Sequence, residues 1–240
     1  MNLNIKVDKI SLSEARNKVV DLLSSLGQFK IFTPNPEMYV KAQKDKYFMQ
    51  VLNSGDLNLC DGFGLSFFYR TPRIPGADFI YDICAIVRNK QKKVFLLGSG
   101  DDEVIKKSAE NLIKKTPGLI IVGTDKGEKI EEIGEILKYD QALNDKLLEK
   151  INNSDAEILF VGFGMGKQEK WIEENLIKIP KIKIAMGVGG TFDFISGKIQ
   201  RTPCFMRQIG LEWVYRLIQE PRRIKRIWHA TAVFIWKLIF

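Results

Sequence analysis

Cysteine is scarce in this chain: three in 240 residues, Cys60, Cys84 and Cys204, with no CxxC spacing among them. That excludes a disulfide framework and a cysteine zinc site, and it fits a reducing compartment. Histidine is scarcer still, with His229 alone. A Ser-His-Asp triad would have to recruit it from a basic apolar segment near the C-terminus, which argues against such chemistry. Long apolar runs are also missing. No signal-peptide-type run follows the N-terminus, and residues 228–240 are too few to cross a bilayer, which takes roughly 20. The expectation is a protein kept in the cytosol. Internal repeats and low-complexity linkers are absent as well.

What is present is an ordinary globular composition, 45% hydrophobic and 28% charged, with an uneven net charge of +8. Residues 198–240 hold nine Lys or Arg against two Glu, so they carry +7 of it. The basic character belongs to the tail, and any contact with phosphates or anionic lipid is expected there.

Ser11 followed by Glu14 reads as a capping box, and Ala15, Val19, Leu22 and Leu23 follow at helical spacing. Residues 29–33 read as a strand. Pro34 and Pro36 forbid regular structure until one helix opens near Pro36 and runs to about residue 52. Thr33 and Asn35 sit between that strand end and helix start, where polar side chains either reach a ligand or serve as caps. Residues 57–60 form another strand-like run, delivering Asp61 into a turn opened by Gly62 and Gly64. Asp before Gly is first a turn signal, yet a carboxylate at a strand's carboxyl end can act as a base.

Arg70-Thr71-Pro72-Arg73 is a doubly basic loop before a helix expected over 77–89. Residues 94–98 form a buried strand running into Gly98-Ser99-Gly100, with Asp101 and Asp102 at a helix start. The turn lacks a full GxGxxG, and its acidic residues would repel a pyrophosphate, so a nicotinamide-dependent oxidoreductase is disfavoured. Residues 119–122 repeat the strand pattern, and a polar stretch leads into helical material ending near residue 151. The apolar run 156–161 enters Gly162-Phe163-Gly164-Met165-Gly166, followed by Lys167 and Gln168. The last strand, 182–186, enters Gly187-Val188-Gly189-Gly190-Thr191-Phe192-Asp193. Such turns offer unshielded N–H groups to phosphate, and Asp193 is placed to accept from ribose hydroxyls. The alternative use of such glycines is close packing of a crossover.

Strands alternating with helices predict an α/β fold, a Rossmann-like, mostly parallel sheet with helices on both faces. It is expected to occupy residues 1–197, with 198–240 as a basic helical C-terminal appendage. From Ile224 onward, Ile227, Trp228, Thr231, Phe234, Ile235 and Leu238 form one apolar stripe behind Arg222, Arg223, Lys225 and Arg226. That pattern suits either lying on an anionic membrane or packing on protein. A binding module for nucleic acid or membrane without catalysis would leave Thr33, Asn35, Asp61 and Gln168 without a common task; no nucleic acid partner is expected.

Together, Thr33-Pro34-Asn35-Pro36-Glu37, Asp61-Gly62-Phe63-Gly64, Lys167-Gln168-Glu169-Lys170-Trp171, the Gly187-to-Asp193 turn and Gly210-Leu211-Glu212-Trp213 with Tyr215-Arg216-Leu217 resemble the TagA/WecG/CpsF family of bacterial glycosyltransferases. The resemblance implies transfer of an N-acetylmannosamine-type sugar, with inversion, from a UDP-sugar donor to lipid-linked GlcNAc-diphosphoundecaprenol at the cytoplasmic membrane face. The product would be a wall teichoic acid linkage unit or a surface polysaccharide. The donor stays open between UDP-ManNAc, its uronic acid and UDP-glucose. On this resemblance Asp61 is the general base, Thr33, Asn35 and Gln168 place the sugar, and Arg73 meets the diphosphate or the donor sugar. It implies no cofactor and no essential metal. Arg207, Arg216, Arg223 and Arg226 are the candidates to offset diphosphate charge. It also implies an appendage that closes over the site in the monomer at the membrane, while a homo-oligomer keeps it away. Two departures stand out. Glu128 and Lys129 follow Gly127 where family members carry an aromatic suited to uracil, and Gly166 replaces a proline, which is expected to loosen the turn before Gln168.

Overall fold

The computed structural model describes residues 5–98, 100–208, 211–219, 221 and 233–234, without the side chains of Cys204, Gln208, Trp213 and Arg216. Six strands form one sheet: β1 (Phe29–Phe32), β2 (Leu57–Asn58), β3 (Lys93–Gly98), β4 (Ile120–Asp125), β7 (Ile158–Gly162) and β8 (Ile184–Gly187). Their order is β2-β1-β8-β7-β3-β4, and every pairing is parallel. The last two strands are thus inserted between β1 and β3. The carboxyl ends of strands far apart in sequence adjoin along one edge, where ligands meet such sheets.

Period-two alternation puts each strand in both halves of the core. Val94, Leu96, Ile158 and Phe160 face one side, with α1 (Leu12–Ser24), α5 (Gly76–Asn89), α6 (Asp102–Lys115) and α9 (Thr191–Ser196) over them. Phe95, Leu97, Leu159 and Val161 face the other, with α2 (Pro36–Ala42), α3 (Lys46–Asn53), α7 (Gln141–Asn153) and α8 (Lys167–Asn175). Each fully buried Leu, Ile or Phe contributes roughly 1.5–3 kcal/mol. The capping box on Ser11 and Glu14 forms as the pattern predicts. Cys60 and Cys84 are free and buried, and burial pushes both thiols up to about 12, so they stay protonated.

Three local expectations change. The single helix expected up to residue 52 is two, because Asp45 caps a fresh start by accepting from Phe48 N at 2.8 Å. The helical material expected before residue 151 begins with an antiparallel hairpin, β5 (Glu131–Ile133) and β6 (Ile136–Lys138). A short helix, α4 (Phe63–Tyr69), fills the stretch after Asp61 and buries only Leu65. In the tail, α10 (Cys204–Gln208) and α11 (Glu212–Gln219) follow Gly197. Of the apolar stripe only Phe234 lies among the described residues; it is buried, edge-on to Tyr39 at 5.4 Å and to Phe68 at 6.1 Å.

Helix α8 is wired to its surroundings by side chains that share the Lys-Gln-Glu-Lys-Trp stretch. Lys170 is wholly buried, and its ammonium meets Asp45 at 2.6 Å, Glu132 at 2.7 Å and the Glu135 carbonyl at 2.7 Å. Three partners match three N–H donors, which a buried ammonium requires. Trp171 donates to Asn144 at 2.8 Å, and Asn144 to Asn175 at 3.0 Å.

Candidate active site

A cavity of about 1570 Å³ opens over the carboxyl ends of the strands. Ligand sites commonly enclose about 300–1,000 Å³, so this one has room for two substrates side by side. Thr33, Asn35, Asp61, Arg73, Gln168, Gly189, Gly190 and Asp193 all line it. The sheet order therefore brings together residues that the chain spreads over 160 positions. Gly187 stands behind that wall, buried against Gln168.

Asp61 is held from two directions. Its backbone N–H donates to the Pro34 carbonyl at 2.9 Å, tying it to the end of β1. Its Oδ2 accepts from the Gly76 N–H at 3.1 Å. Gly76 is the first residue of α5, and the N-cap, Pro75, has no side-chain hydrogen bond to offer. Asp61 thus caps that helix from 15 residues upstream, and the helix dipole favours its negative charge. Gly76 must be glycine, since a Cβ would lie 2.8 Å from Thr33 Cγ2. Asp61 keeps a side-chain exposure of 26%, which leaves it reachable from the cavity.

Arg73 lies beside it, Nη2 at 3.5 Å from Asp61 Oδ1 and 2.8 Å from Glu212 Oε2, with its guanidinium over the Phe63 ring at 4.9 Å. Burial works against the charge, but Asp61 and Glu212 outweigh it and the guanidinium's pKa is raised. Glu212 belongs to α11, so the tail already reaches into this cavity.

On the opposite wall Gln168 is buried, and both ends of its amide are engaged inside the protein. Its Oε1 accepts from the Gly189 N–H at 2.8 Å, and its Nε2 donates to Glu169 at 2.7 Å. Asn35 is half committed, since its Oδ1 caps α2 by accepting from Met38 N at 3.0 Å. The caps anticipated for such positions and the cavity lining coincide in this residue.

The glycine at 166 does not loosen the turn. Its φ of +88° is one that proline, locked near −65°, does not adopt, and its N–H donates to Glu169 Oε2 at 2.7 Å. Proline has no such donor. Burial, working against three N–H bonds and the Lys41 charge, pushes the Glu169 carboxyl up to about 7.

Glu128 and Lys129, which stand where family members carry an aromatic, both line the cavity. Glu128 turns inward, accepting from Asp140 N at 3.0 Å, and its Oε1 is buried without a hydrogen-bond partner among the described residues. The aromatic face on this side of the cavity comes from Phe163, packed under Gly127 and edge-on to Trp171 at 5.6 Å. Its signal in the sequence was only its place between two glycines at a strand end.

Arg207 does not line the cavity. Its guanidinium donates to Thr202 O at 3.0 Å and pairs with Asp78 at 3.2 Å. Arg201, which sequence reasoning passed over, does line it and pairs with Asp78 at 2.9 Å. The Arg216 side chain, Arg223 and Arg226 lie outside the described residues. No group of three or more His, Cys, Asp or Glu among the described residues is placed to hold a metal, and no described helix is long and apolar enough to cross a membrane.

Comparison with known proteins places this geometry. Residues 1–240 match the glycosyl transferase WecG/TagA/CpsF family. A protein of Bacillus subtilis (strain 168), named N-acetylglucosaminyldiphosphoundecaprenol N-acetyl-beta-D-mannosaminyltransferase, is 33% identical over 203 residues, covering 82% of this chain and 74% of its own. Its namesake from Bacillus spizizenii (strain ATCC 23059 / NRRL B-14472 / W23) is 31% identical over the same shares. A parallel sheet with a large cavity at its strand ends accompanies a match along the entire chain: the protein belongs to the WecG/TagA/CpsF family of glycosyltransferases.

Proposed function

We propose that this protein transfers N-acetylmannosamine from UDP-N-acetylmannosamine to a hydroxyl of N-acetylglucosaminyl-diphosphoundecaprenol, with inversion, in assembling a wall teichoic acid linkage unit or surface polysaccharide. The observation that carries the reading is the Asp61 carboxylate, capping α5 yet open to a cavity large enough for donor and acceptor together. The relatives' name specifies a beta product, and making it from an alpha-linked nucleotide sugar inverts the anomeric carbon. Inversion needs one base on the acceptor side.

In this reaction the acceptor hydroxyl oxygen attacks the anomeric carbon and its proton passes to Asp61. The bond from that carbon to the diphosphate oxygen breaks, and UDP leaves with the electron pair. Thr33 and the free amide group of Asn35 orient the sugar. Gln168 acts through Gly189, holding the glycine turn whose N–H groups and Asp193 receive phosphate and ribose. Arg73 meets the diphosphate once Glu212 gives way, and Arg201 stands by on the same wall. Cationic side chains, rather than a metal, offset the diphosphate charge in this reading, and the basic tail holds the protein at the inner membrane face.

A radiolabelled transfer assay with a lipid-diphosphate GlcNAc acceptor tests it. Label from UDP-N-acetylmannosamine is expected to move to the lipid, insensitive to chelator, in preference to its uronic acid and to UDP-glucose. Preference for either other donor would reassign the sugar, and loss of activity with chelator would overturn the metal-free part.

A further inference from the structure

Helix α4 begins two residues after Asp61 and turns three phenylalanines outward, while Tyr69 packs inward with its hydroxyl on the Ile5 carbonyl. Phe67 is 83% exposed, Phe63 44% and Phe68 38%. Exposed aromatics gathered on one short helix need a reason, since burying each would contribute to stability. Two facts supply it. All three line the Asp61 cavity, and Phe67 and Phe68 also line a second groove of about 650 Å³ on the far side of the helix. The aromatic face is therefore the continuous surface by which the reaction cavity passes to the outside.

The second fact is charge. Arg70 closes α4 in a left-handed conformation, φ +51°, is exposed, and makes no ion pair among the described residues. The turn that carries it is fixed: Ser66 Oγ donates to the Thr71 carbonyl at 2.6 Å and Thr71 N–H to the Ser66 carbonyl at 3.2 Å. Arg73, three residues on, lines the cavity itself. A cation inside the cavity and a cation at the groove bracket an apolar surface.

We infer that α4 is the binding surface for the lipid end of the acceptor: the first isoprene units of the prenyl chain lie across Phe67 and Phe68, and Arg70 meets the diphosphate from the groove side. This rests on the function proposed above, whose acceptor joins a sugar, a diphosphate and a prenyl chain in that order. Asp61 and Arg73 line the cavity, Arg70 lines the groove, and Phe67 and Phe68 line both, so each of the three parts has a surface of matching chemistry. Flexible prenyl carbons need area rather than a shaped pocket, which exposed Phe rings provide.

The test varies the lipid, not the sugar. Initial rates are measured for GlcNAc-diphospho acceptors carrying a hexyl, a farnesyl and an undecaprenyl chain, with the intact enzyme and with Phe67→Ser and Arg70→Asn. Both sites are exposed, and Asn tolerates the left-handed conformation at 70. The wild type is expected to show a KM that falls as the chain lengthens, and Phe67→Ser to lose about tenfold of that gain. Arg70→Asn is expected to raise KM for all three acceptors by a few-fold while leaving KM for the nucleotide sugar unchanged. An unaltered chain-length dependence in Phe67→Ser overturns the inference. If the wild type transfers to none of the acceptors, the proposed function fails instead. Binding of farnesyl diphosphate against inorganic diphosphate by calorimetry then decides the surface alone: a preference for farnesyl diphosphate that Phe67→Ser abolishes supports it, and equal binding overturns it.

Discussion

The two walls of the cavity are built on opposite terms. On the Asp61 wall the charged groups are partly exposed: Asp61 meets Gly76 N–H at 3.1 Å and Arg73 at 3.5 Å, and Arg73 meets Glu212 at 2.8 Å, contacts at the cavity surface that a substrate can replace. On the Gln168 wall the polar groups are buried and held at 2.7 to 2.8 Å by contacts wholly inside the protein. The first arrangement suits groups that must exchange partners during a reaction. The second suits groups that must never do so, because a buried polar atom left alone costs far more than an exposed one. Residues that look equivalent in the sequence, polar side chains at strand ends, thus divide into chemistry and scaffolding.

The sharpest way to break the comparison is to remove the carboxylate proposed as the base. Asp61→Asn keeps the shape and the acceptor for Gly76 N–H, so transfer is expected to fall by about 10²–10⁴-fold while the unfolding midpoint hardly moves. Turnover and thermal melting on one preparation check this, and near-normal turnover would make Asp61 a cap only. Gln168→Ala should behave in the reverse sense. It strands the Gly189 N–H and strips one donor from Glu169, costing about 2–4 kcal/mol in urea unfolding, with activity lost through a higher donor KM. A stable Gln168→Ala enzyme that is as dead as Asp61→Asn would mean that Gln168 contacts substrate directly.

Glu169 gives the buried wall a pH signature. Its carboxyl titrates at about 7 in the folded protein against an ordinary value near 4.5, so between those values the folded state holds the proton and the unfolded chain does not. Stability is therefore expected to fall as pH rises from 4.5 to 7 and to level off above, by about 3 kcal/mol. Glu169→Gln should flatten that part of the profile in denaturant titrations. The smallest effect is expected on the exposed wall: Glu212→Gln removes the 2.8 Å partner of Arg73 at a cost of about 1 kcal/mol or less. It should lower the donor KM a few-fold if Glu212 holds Arg73 away from the diphosphate. An unchanged KM would leave the pair as structure.

Much of the fold was legible because its strands are buried on both faces, and such strands read as plain apolar runs. Residues 94–98, 156–161 and 182–186 announce themselves in this way. The hairpin at 131–138 did not, being polar and short, with Leu137 its sole buried residue. Helix α4 was hidden for the opposite reason: its phenylalanines face out, so no apolar stripe marks an inner side. The break at Asp45 is a local cap, its carboxylate accepting from Phe48 N, and it was masked by the apolar residues that continue on either side of it. At the site, turn glycines and isolated polar residues showed where to look. They did not show direction: Arg207, a candidate for the diphosphate, turns to Asp78, while Arg201 lines the cavity.

The Lys170 ammonium has a further consequence, for the order of folding. Its three partners lie on two segments, Asp45 ahead of α3 and Glu132 with Glu135 in the hairpin, and none is near it in sequence. Until all three arrive the ammonium is better off in water, so it favours neither partial docking nor any intermediate lacking one segment. The contact is therefore expected to form late, so that its loss speeds unfolding more than it slows folding in stopped-flow kinetics of Lys170→Met. The polar hairpin, weak by itself, inherits its permanence from that late lock. Its amides should exchange with solvent only when the whole molecule opens.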